Sequence, residues 1–373
     1  MRWTVWAPIV LVAVAVACGS EQPLVMTGPS PQPTEVAAPR PAPSPTPTRS
    51  PAPPPIASLA DVFPPRDLPL GTLDPGRVRV LVATGDVIPA RMVDVTIRRR
   101  GNDFLYPVRD VANITRAADI TVVNLEAPLI DGCPYHAEGF TFCGQPGFVQ
   151  ALLAMGVDVA TLENNHIGNY GSEGTAETQE LLARHGIAWA DRHRLAVLDA
   201  RGLRFGFLAF NGVGEAFDRA AIRDAIATAR RQVDVLVVAF HWGMEYVDVP
   251  EPAPGIAPDD PVEIAHLAVD AGADLVLGNH PHWVQAVEVY RGKFIAYAHG
   301  NFIFDQMWSY ETRVGVIGRY TFYDRELVRV EFVPVIIEDY ARPRPLQGLE
   351  AQAVLDGMRR ASEALAQRLA MRP

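Results

Sequence analysis

A chain of 373 residues has room for one large domain or two ordinary ones with an ample core. Its 49% hydrophobic and 20% charged content is globular, and a net charge of −10 excludes a basic, phosphate-tracking surface, so nucleic acid is not an expected partner. Beyond the first 17 residues no apolar run reaches the ~18 residues of a membrane span, and three cysteines cannot build a disulfide-dense scaffold.

Residues 1–17 (MRWTVWAPIVLVAVAVA) set one positive residue, Arg2, before a short apolar stretch and small residues, the shape of a secretory signal peptide. Ala15-Val16-Ala17-Cys18 with Gly19-Ser20 resembles a bacterial lipobox, although the usual leucine is Ala15 here. A lipidated Cys18 would anchor the chain to the bacterial cell membrane, facing outside the cytoplasm. Thirteen of the 33 prolines fall between Pro23 and Pro55, interleaved with Ser, Thr and Ala. Such a segment buries too little apolar area to offset ordering. Residues 18–76 are therefore expected to be a disordered tether, whose Pro-rich part extends at ~3.1 Å per residue.

The body is expected to begin at Arg77 and to alternate strands with helices. Strands are predicted over 78–86, 120–126, 157–166, 203–210, 233–243 and 273–282. Helices are predicted over 108–119, 147–156, 172–186, 216–231 and 260–271. Four further strands follow (VQAVEVY, KFIAYAHGNFIF, RVGVIGRYTF, LVRVEFVPVII), then an amphipathic helix over 347–369. Continuous apolar runs suggest strands buried on both faces. Repeated strand–helix order predicts a layered α/β fold with helices outside mixed sheets. The main domain is placed at 77–340, with 341–373 as a C-terminal helix packing on it. Cys133 and Cys143, ten apart between Gly and Pro turns, are expected to form a disulfide in an exported protein. A metal site is the alternative.

Five predicted strands end in groups that bind metals or shuttle protons: Asp86; Asn124 and Glu126; Asn164, Asn165 and His166; His241; His280 and His282. In open α/β sheets ligands sit beyond the carboxyl ends of strands, so topology can gather these positions in one crevice. Carboxylate, amide and imidazole are ligands for Zn, Mn or Fe. A carboxylate bridging two such cations ~3.5–4 Å apart is the usual means of polarising a phosphate ester and activating water. Asn301 and Asp305, at a later strand exit, either shape the site or make a turn.

The motifs GDVIPAR (85–91), NLEAPL (124–129), ENNHIGNYG (163–171), FHWGMEY (240–246), GNHPHWVQ (278–285) and HGNFIFDQ (299–306) occur in one order. On them the chain resembles the bacterial CapA/PgsA family of capsule and poly-γ-glutamate synthesis proteins. That family is similar in fold to calcineurin-like metallophosphoesterases, which implies a four-layer α/β/β/α sandwich. It also implies an anionic surface polymer as partner and association with a capsule synthesis or export complex. Residue by residue, the resemblance makes Asp86, Glu126, Asn165, His241, His280 and His282 metal ligands. His166 would protonate a leaving group, and Arg91 would pair with an anionic substrate or else serve a structural ion pair. The chain departs from the phosphoesterase pattern at Ile88, where a histidine is usual, at Glu126 for Asp, and at Asn169 for Asp. One position thus lacks a ligand, which favours one divalent ion (Mn, Zn or Fe) over two. A metal-dependent hydrolase and a non-catalytic polymer-binding or assembly factor are the two functions this implies.

Overall fold

The computed structural model describes residues 51–371, so the expected signal peptide, Cys18 and the tether up to residue 50 lie outside the described residues. In chain order the elements are β1 (Val78–Val87), α1 (Met92–Arg99), α2 (Ala112–Thr115), β2 (Ile120–Leu125), α3 (Val149–Ala154), β3 (Val159–Thr161), α4 (Gly171–Arg184) and β4 (Ala188–Ala190). Then come β5 (Ala196–Ala200), β6 (Leu203–Asn211), α5 (Arg219–Arg230), β7 (Val235–His241), α6 (Pro261–Ala271), β8 (Leu275–Asn279), β9 (Val287–Tyr290), β10 (Lys293–Ala296) and β11 (Asn301–Ile303). The chain ends with α7 (Tyr310–Arg313), β12 (Val314–Tyr323), β13 (Glu326–Glu338), β14 (Arg342–Pro345) and α8 (Gly348–Ala370).

The strands form two mixed sheets. One runs β14-β13-β12-β1-β2-β3-β4 with β11 beside β1; the other runs β5-β6-β7-β8-β10-β9. Parallel pairs join β1 to β2, β3 and β4 in the first sheet and β6 to β7, β8 and β10 in the second. Leu81, Ala83 and Val122 of one sheet meet Phe205, Phe207, Val237 and Leu275 of the other in a shared core. The opposite face of the first sheet is covered by Val93 and Ile97 of α1, Leu152 of α3 and Leu181 of α4. That of the second is covered by Ile226 of α5 and Ile264 and Ala268 of α6. The architecture is the expected α/β/β/α sandwich, and strands buried on both faces explain the near-continuous Val/Ile/Leu runs.

One local exchange shapes the rim. β1 pairs antiparallel with β12 as far as Ala83–Gly318, then with β11 at Asp86–Asn301. A Cβ on Gly85 would lie 2.0 Å from the Gly300 carbonyl oxygen, so only glycine lets β11 approach there.

Several expected boundaries are corrected. The fold begins before Arg77: Ile56 donates its N–H to the Leu327 carbonyl at 2.8 Å, and Ile56 and Val62 are buried in the inter-sheet core. Burial of these two side chains outweighs the disorder that flanking prolines favour. The segment 341–373 first adds β14 to a sheet edge before α8 packs Val354 and Met358 on the shared core. The helix expected over 108–119 shrinks to α2. There Thr115 and Thr121 hydroxyls satisfy the Met155 and Thr115 carbonyls at 2.8 and 2.9 Å, competing with helical bonding. β3 stops at Thr161, so the polar run 163–166 is loop rather than strand. Helix α1 was not expected from its β-branched composition; burial of Val93 and Ile97 and the Asp94–Arg98 pair at 2.5 Å hold it. Cys133 and Cys143 form a disulfide with their Cα atoms 5.9 Å apart. His136 also lies beside these sulfurs, but the bond leaves no thiolate to bind a metal.

Truncating Ile56 to Ala should cost about 2–5 kcal/mol of stability in denaturant titration, the range for core isoleucines. An unchanged midpoint would mean that residues 56–76 belong to the tether.

Candidate functional site

The carboxyl ends of β1, β2, β7 and β8 meet at one rim. β1 delivers Asp86 and β2 delivers Asn124, with Glu126 one residue past its end; their registers pair Asp86 with Asn124. β7 ends on His241, paired with Asn279 at the end of β8, and the next turn carries His280 and His282. Both of these histidines adopt positive φ, 95° and 57°. Residues other than glycine rarely take that region, and such strain gathers at functional sites. Asp86, Glu126, His241 and His280 are all at most 1% exposed.

Side-chain amides build the frame. Asn124 Nδ2 donates to Asp86 Oδ1 at 2.9 Å and to Glu126 Oε2 at 3.2 Å. Asn279 Nδ2 donates to the same Asp86 oxygen at 2.8 Å. Asn164 is a framework residue: its Nδ2 donates to Asn124 Oδ1 at 3.1 Å, and its Oδ1 accepts from the Ile167 N–H at 2.8 Å. Its neighbour Asn165 instead turns Oδ1 to His241 Nε2 at 2.8 Å, on the donor cluster. Sequence alone did not single out Asn279; its place before the ligand histidines in GNHPH was the available signal. Asn301 does shape the site. It presents Oδ1 to His282 Nδ1 at 2.9 Å, while its Nδ2 donates to the Thr312 carbonyl at 2.8 Å.

Donor atoms of Asp86, Glu126 and His241 lie within 4.8 Å of one another, as do those of Glu126, His280 and His282, so Glu126 belongs to both triads. Neither ring nitrogen of His280 has a hydrogen-bond partner among the described residues, nor do Nδ1 of His241 and Oε1 of Glu126. Orphaned buried polar atoms are costly and rare. Their grouping, with two carboxylates and three imidazoles, fits a divalent cation of the Mn, Zn or Fe type.

Burial alone would raise the Asp86 carboxyl, but the hydrogen bond and charge of His282, aided by His241 and Asn124, hold it below the usual range. Glu126 goes the other way: burial and then the charge of Asp86 push it well above its ordinary value. Burial would lower His282, yet Asp86 at 3.2 Å and the Glu126 charge carry it up to about 9. Burial lowers His241 to about 3 and keeps His280 neutral. The 3.3 Å contact of His241 with Glu126 joins two groups that burial drives toward their neutral forms.

His166 stacks on Phe142, ring centroids 4.1 Å apart. Asn169 Oδ1 accepts the Phe142 N–H at 2.6 Å and lies 3.0 Å from His166 Nδ1, so Nδ1 carries the proton and Nε2 the lone pair. Burial lowers His166 to about 4, and Asn169, unlike an aspartate, offers no charge to reverse this. In the metal-free protein the ring is therefore neutral at neutral pH and gives a proton to a leaving group only after taking one up. Arg91 reaches the donor cluster only through aromatic rings that touch His166 and His282. Its Nη2 pairs with Asp305, whose other oxygen accepts the Met92 N–H at 3.0 Å, and its guanidinium lies over Phe142 and Phe304. Of the two roles expected for Arg91, the ion pair is the one this geometry displays. On the other flank, Asn165, Asn169, Gln179, Arg192 and Asn211 line a groove of about 470 Å³.

The Asp86–His282 pair makes a signed prediction for metal-free protein. Its stabilisation is complete below His282's ordinary value of 6.5 and is lost as pH rises through about 9. Thermal melts should show wild type losing its advantage over His282→Gln across that interval; a difference independent of pH would refute the pairing.

Residues 80–306 match the family described as Bacterial capsule synthesis protein PGA_cap. The PGA biosynthesis protein CapA of Bacillus subtilis (strain 168) is 29% identical over 286 residues, covering 70% of this chain and 72% of the relative. The capsule biosynthesis protein CapA of Bacillus anthracis is 27% identical, covering 71% and 69%. Among solved structures, a hypothetical protein from Thermus thermophilus aligns with a TM-score of 0.45 and 14% identity over 68% of this chain and 98% of its own. The family match spans well over half of the chain, which thus belongs to the bacterial capsule synthesis protein PGA_cap family.

Proposed function

We propose that this protein acts in capsule or poly-γ-glutamate synthesis at the cell surface, and that its rim holds a divalent-metal centre hydrolysing a phosphoester or amide bond of an anionic polymer. The relatives' names support the polymer. The observation that carries the metal is the pair of donor triads sharing Glu126, one of which contains His280 with both ring nitrogens unpartnered among the described residues.

Asp86, Glu126, Asn165, His241, His280 and His282 would hold the metal. Membership of Glu126 in both triads favours two neighbouring positions over the single ion expected from sequence. Bound there, divalent ions supply Lewis acidity toward a phosphoryl or carbonyl oxygen and lower the pKa of water. His166, once protonated at Nε2 by exchange with solvent, would give that proton to the leaving group, while Asn169 keeps Nδ1–H in place. The amide-lined groove beside Asn165 can seat a polar chain. A protein of net charge −10 repels a polyanion at long range, so attraction must come from local cations. In this reading the domain works outside the cytoplasm, where the Cys133–Cys143 bond persists, tethered through lipid on Cys18 beside a synthesis or export complex. Replacing Cys18 by Ser should move the protein from the membrane to the soluble fraction; unchanged fractionation would count against the anchor.

One observation favours the non-catalytic alternative: Ile88, which stands in the motif where a histidine is usual, is buried with Ala127, Phe142 and Phe304 and offers no ligand atom. Metal content and turnover decide between the two. The purified protein should carry divalent metal and cleave either poly-γ-glutamate or a simple phosphodiester, with activity lost to a chelator. His280→Ala should lower turnover at least about 100-fold, since the ion contributes several kcal/mol to the transition state. Metal without turnover would support a binding factor. A folded, metal-free, inactive wild type would dismiss the centre.

A further inference from the structure

We infer that Glu245 is an additional ligand of this centre, closing it on the side of His280 and His282. The inference rests on the metal reading above and adds a residue that neither the donor triads nor the motif comparison supplied. Glu245 Oε1 lies 3.9 Å from His280 Nε2 and 4.0 Å from His282 Nε2. Donors ~2.1 Å from one tetrahedral ion lie about 3.4 Å from each other. The oxygen therefore needs to move only about half an ångström to share an ion with both imidazoles. Together with Glu126 this makes two oxygens and two nitrogens, a set suited to Mn, Fe or Zn.

The backbone aims this side chain. After β7 the chain turns through Gly243 and Tyr246, at φ 79° and 63°. The turn is pinned by the Met244 N–H to the Glu251 carbonyl at 2.8 Å and the Tyr246 N–H to the Pro281 carbonyl at 2.9 Å. The second bond ties the Glu245 turn directly to the loop that carries both histidines. His280 is fully buried with both ring nitrogens unpartnered, and Glu245 is the carboxylate facing its Nε2. A hydrogen bond at 3.9 Å is too long to satisfy that nitrogen, whereas an ion between the two groups satisfies both.

Composition of the site argues the same way. The motif comparison leaves Ile88 where a nitrogen ligand is usual, and Ile88 packs with Ala127, Phe142 and Phe304 rather than offering a donor. Glu245 restores the count from another loop. It also brings a third carboxylate toward buried Asp86 and Glu126, an arrangement that is repulsive unless cations lie among them. The Glu245 side chain is 40% exposed, unlike the buried donors around it. It is therefore the ligand that can swing aside to admit an ion, and one whose loss leaves the core packing intact.

Full-length protein is stripped with chelator and titrated with Co²⁺ alone, comparing wild type, Glu245→Gln, Glu245→Ala and His280→Ala. Affinity and the visible absorption of bound Co²⁺ are read, the latter reporting coordination directly. Both Glu245 variants should weaken Co²⁺ binding at least about tenfold, as even residues that only support ligands do, and should alter the spectrum. Metal-free Glu245→Gln should melt with wild type, which separates lost ligation from lost fold. Wild-type affinity and spectrum in both Glu245 variants, with binding lost in His280→Ala, would overturn Glu245 as a ligand and leave the metal centre standing. No Co²⁺ binding by wild type would overturn the centre and this inference with it.

Discussion

Two carboxylates buried side by side set the terms for the rest of the rim. Asp86 and Glu126 end neighbouring strands, both essentially closed to solvent, and are bridged by a single amide, Asn124 Nδ2. Taking one carboxylate out of water costs several kcal/mol, and two in contact cannot both be ionised without cationic charge between them. In the metal-free protein the conflict is resolved by division. Asp86 is held ionised against His282, while burial and the Asp86 charge push Glu126 toward its protonated form. The surrounding Asn124, Asn164 and Asn279 amides fix this geometry without adding charge. A framework of neutral donors around an acidic pair is poor design for stability alone, and it is well matched to cations supplied from outside.

The fold explains why such a pair can exist. Parallel strands from both sheets point their carboxyl ends to the same side, and the shared apolar core holds the two sheets in register. At this end β1 leaves β12 for β11, through a contact that Gly85 alone permits. That exchange brings Asn301 against Asp86, and Asn301 in turn orients His282. The site is thus carried by strand ends and by short turns hydrogen-bonded to them, which keeps the donors fixed.

Much of this was legible from the residues. Uninterrupted apolar runs announced strands buried on both faces, and the polar groups ending them named Asp86, Glu126, His241, His280 and His282 as neighbours. Other features escaped for physical reasons. Ile56 and Val62 sit among prolines, and only a tertiary groove shows that they are core. Helix α1 is β-branched and forms through burial rather than propensity. Arg91 carries a motif position, yet its partner Asp305 lies 214 residues away. Burial of the His166 ring beside the uncharged Asn169, which lowers it to about 4, is likewise a tertiary effect. Glu245 was not singled out within FHWGMEY, because its relation to His280 arises only when the loops after β7 and β8 meet.

The central claim is that this rim binds divalent cations between its two sheets. The most direct measurement is anomalous diffraction from crystals soaked in Mn²⁺, recorded at the manganese edge. The account predicts a peak ~2.0–2.3 Å from a Glu126 oxygen and from an imidazole nitrogen of His241, His280 or His282. Ordered side chains with no anomalous density at the rim, or density confined to surface carboxylates elsewhere, would contradict it.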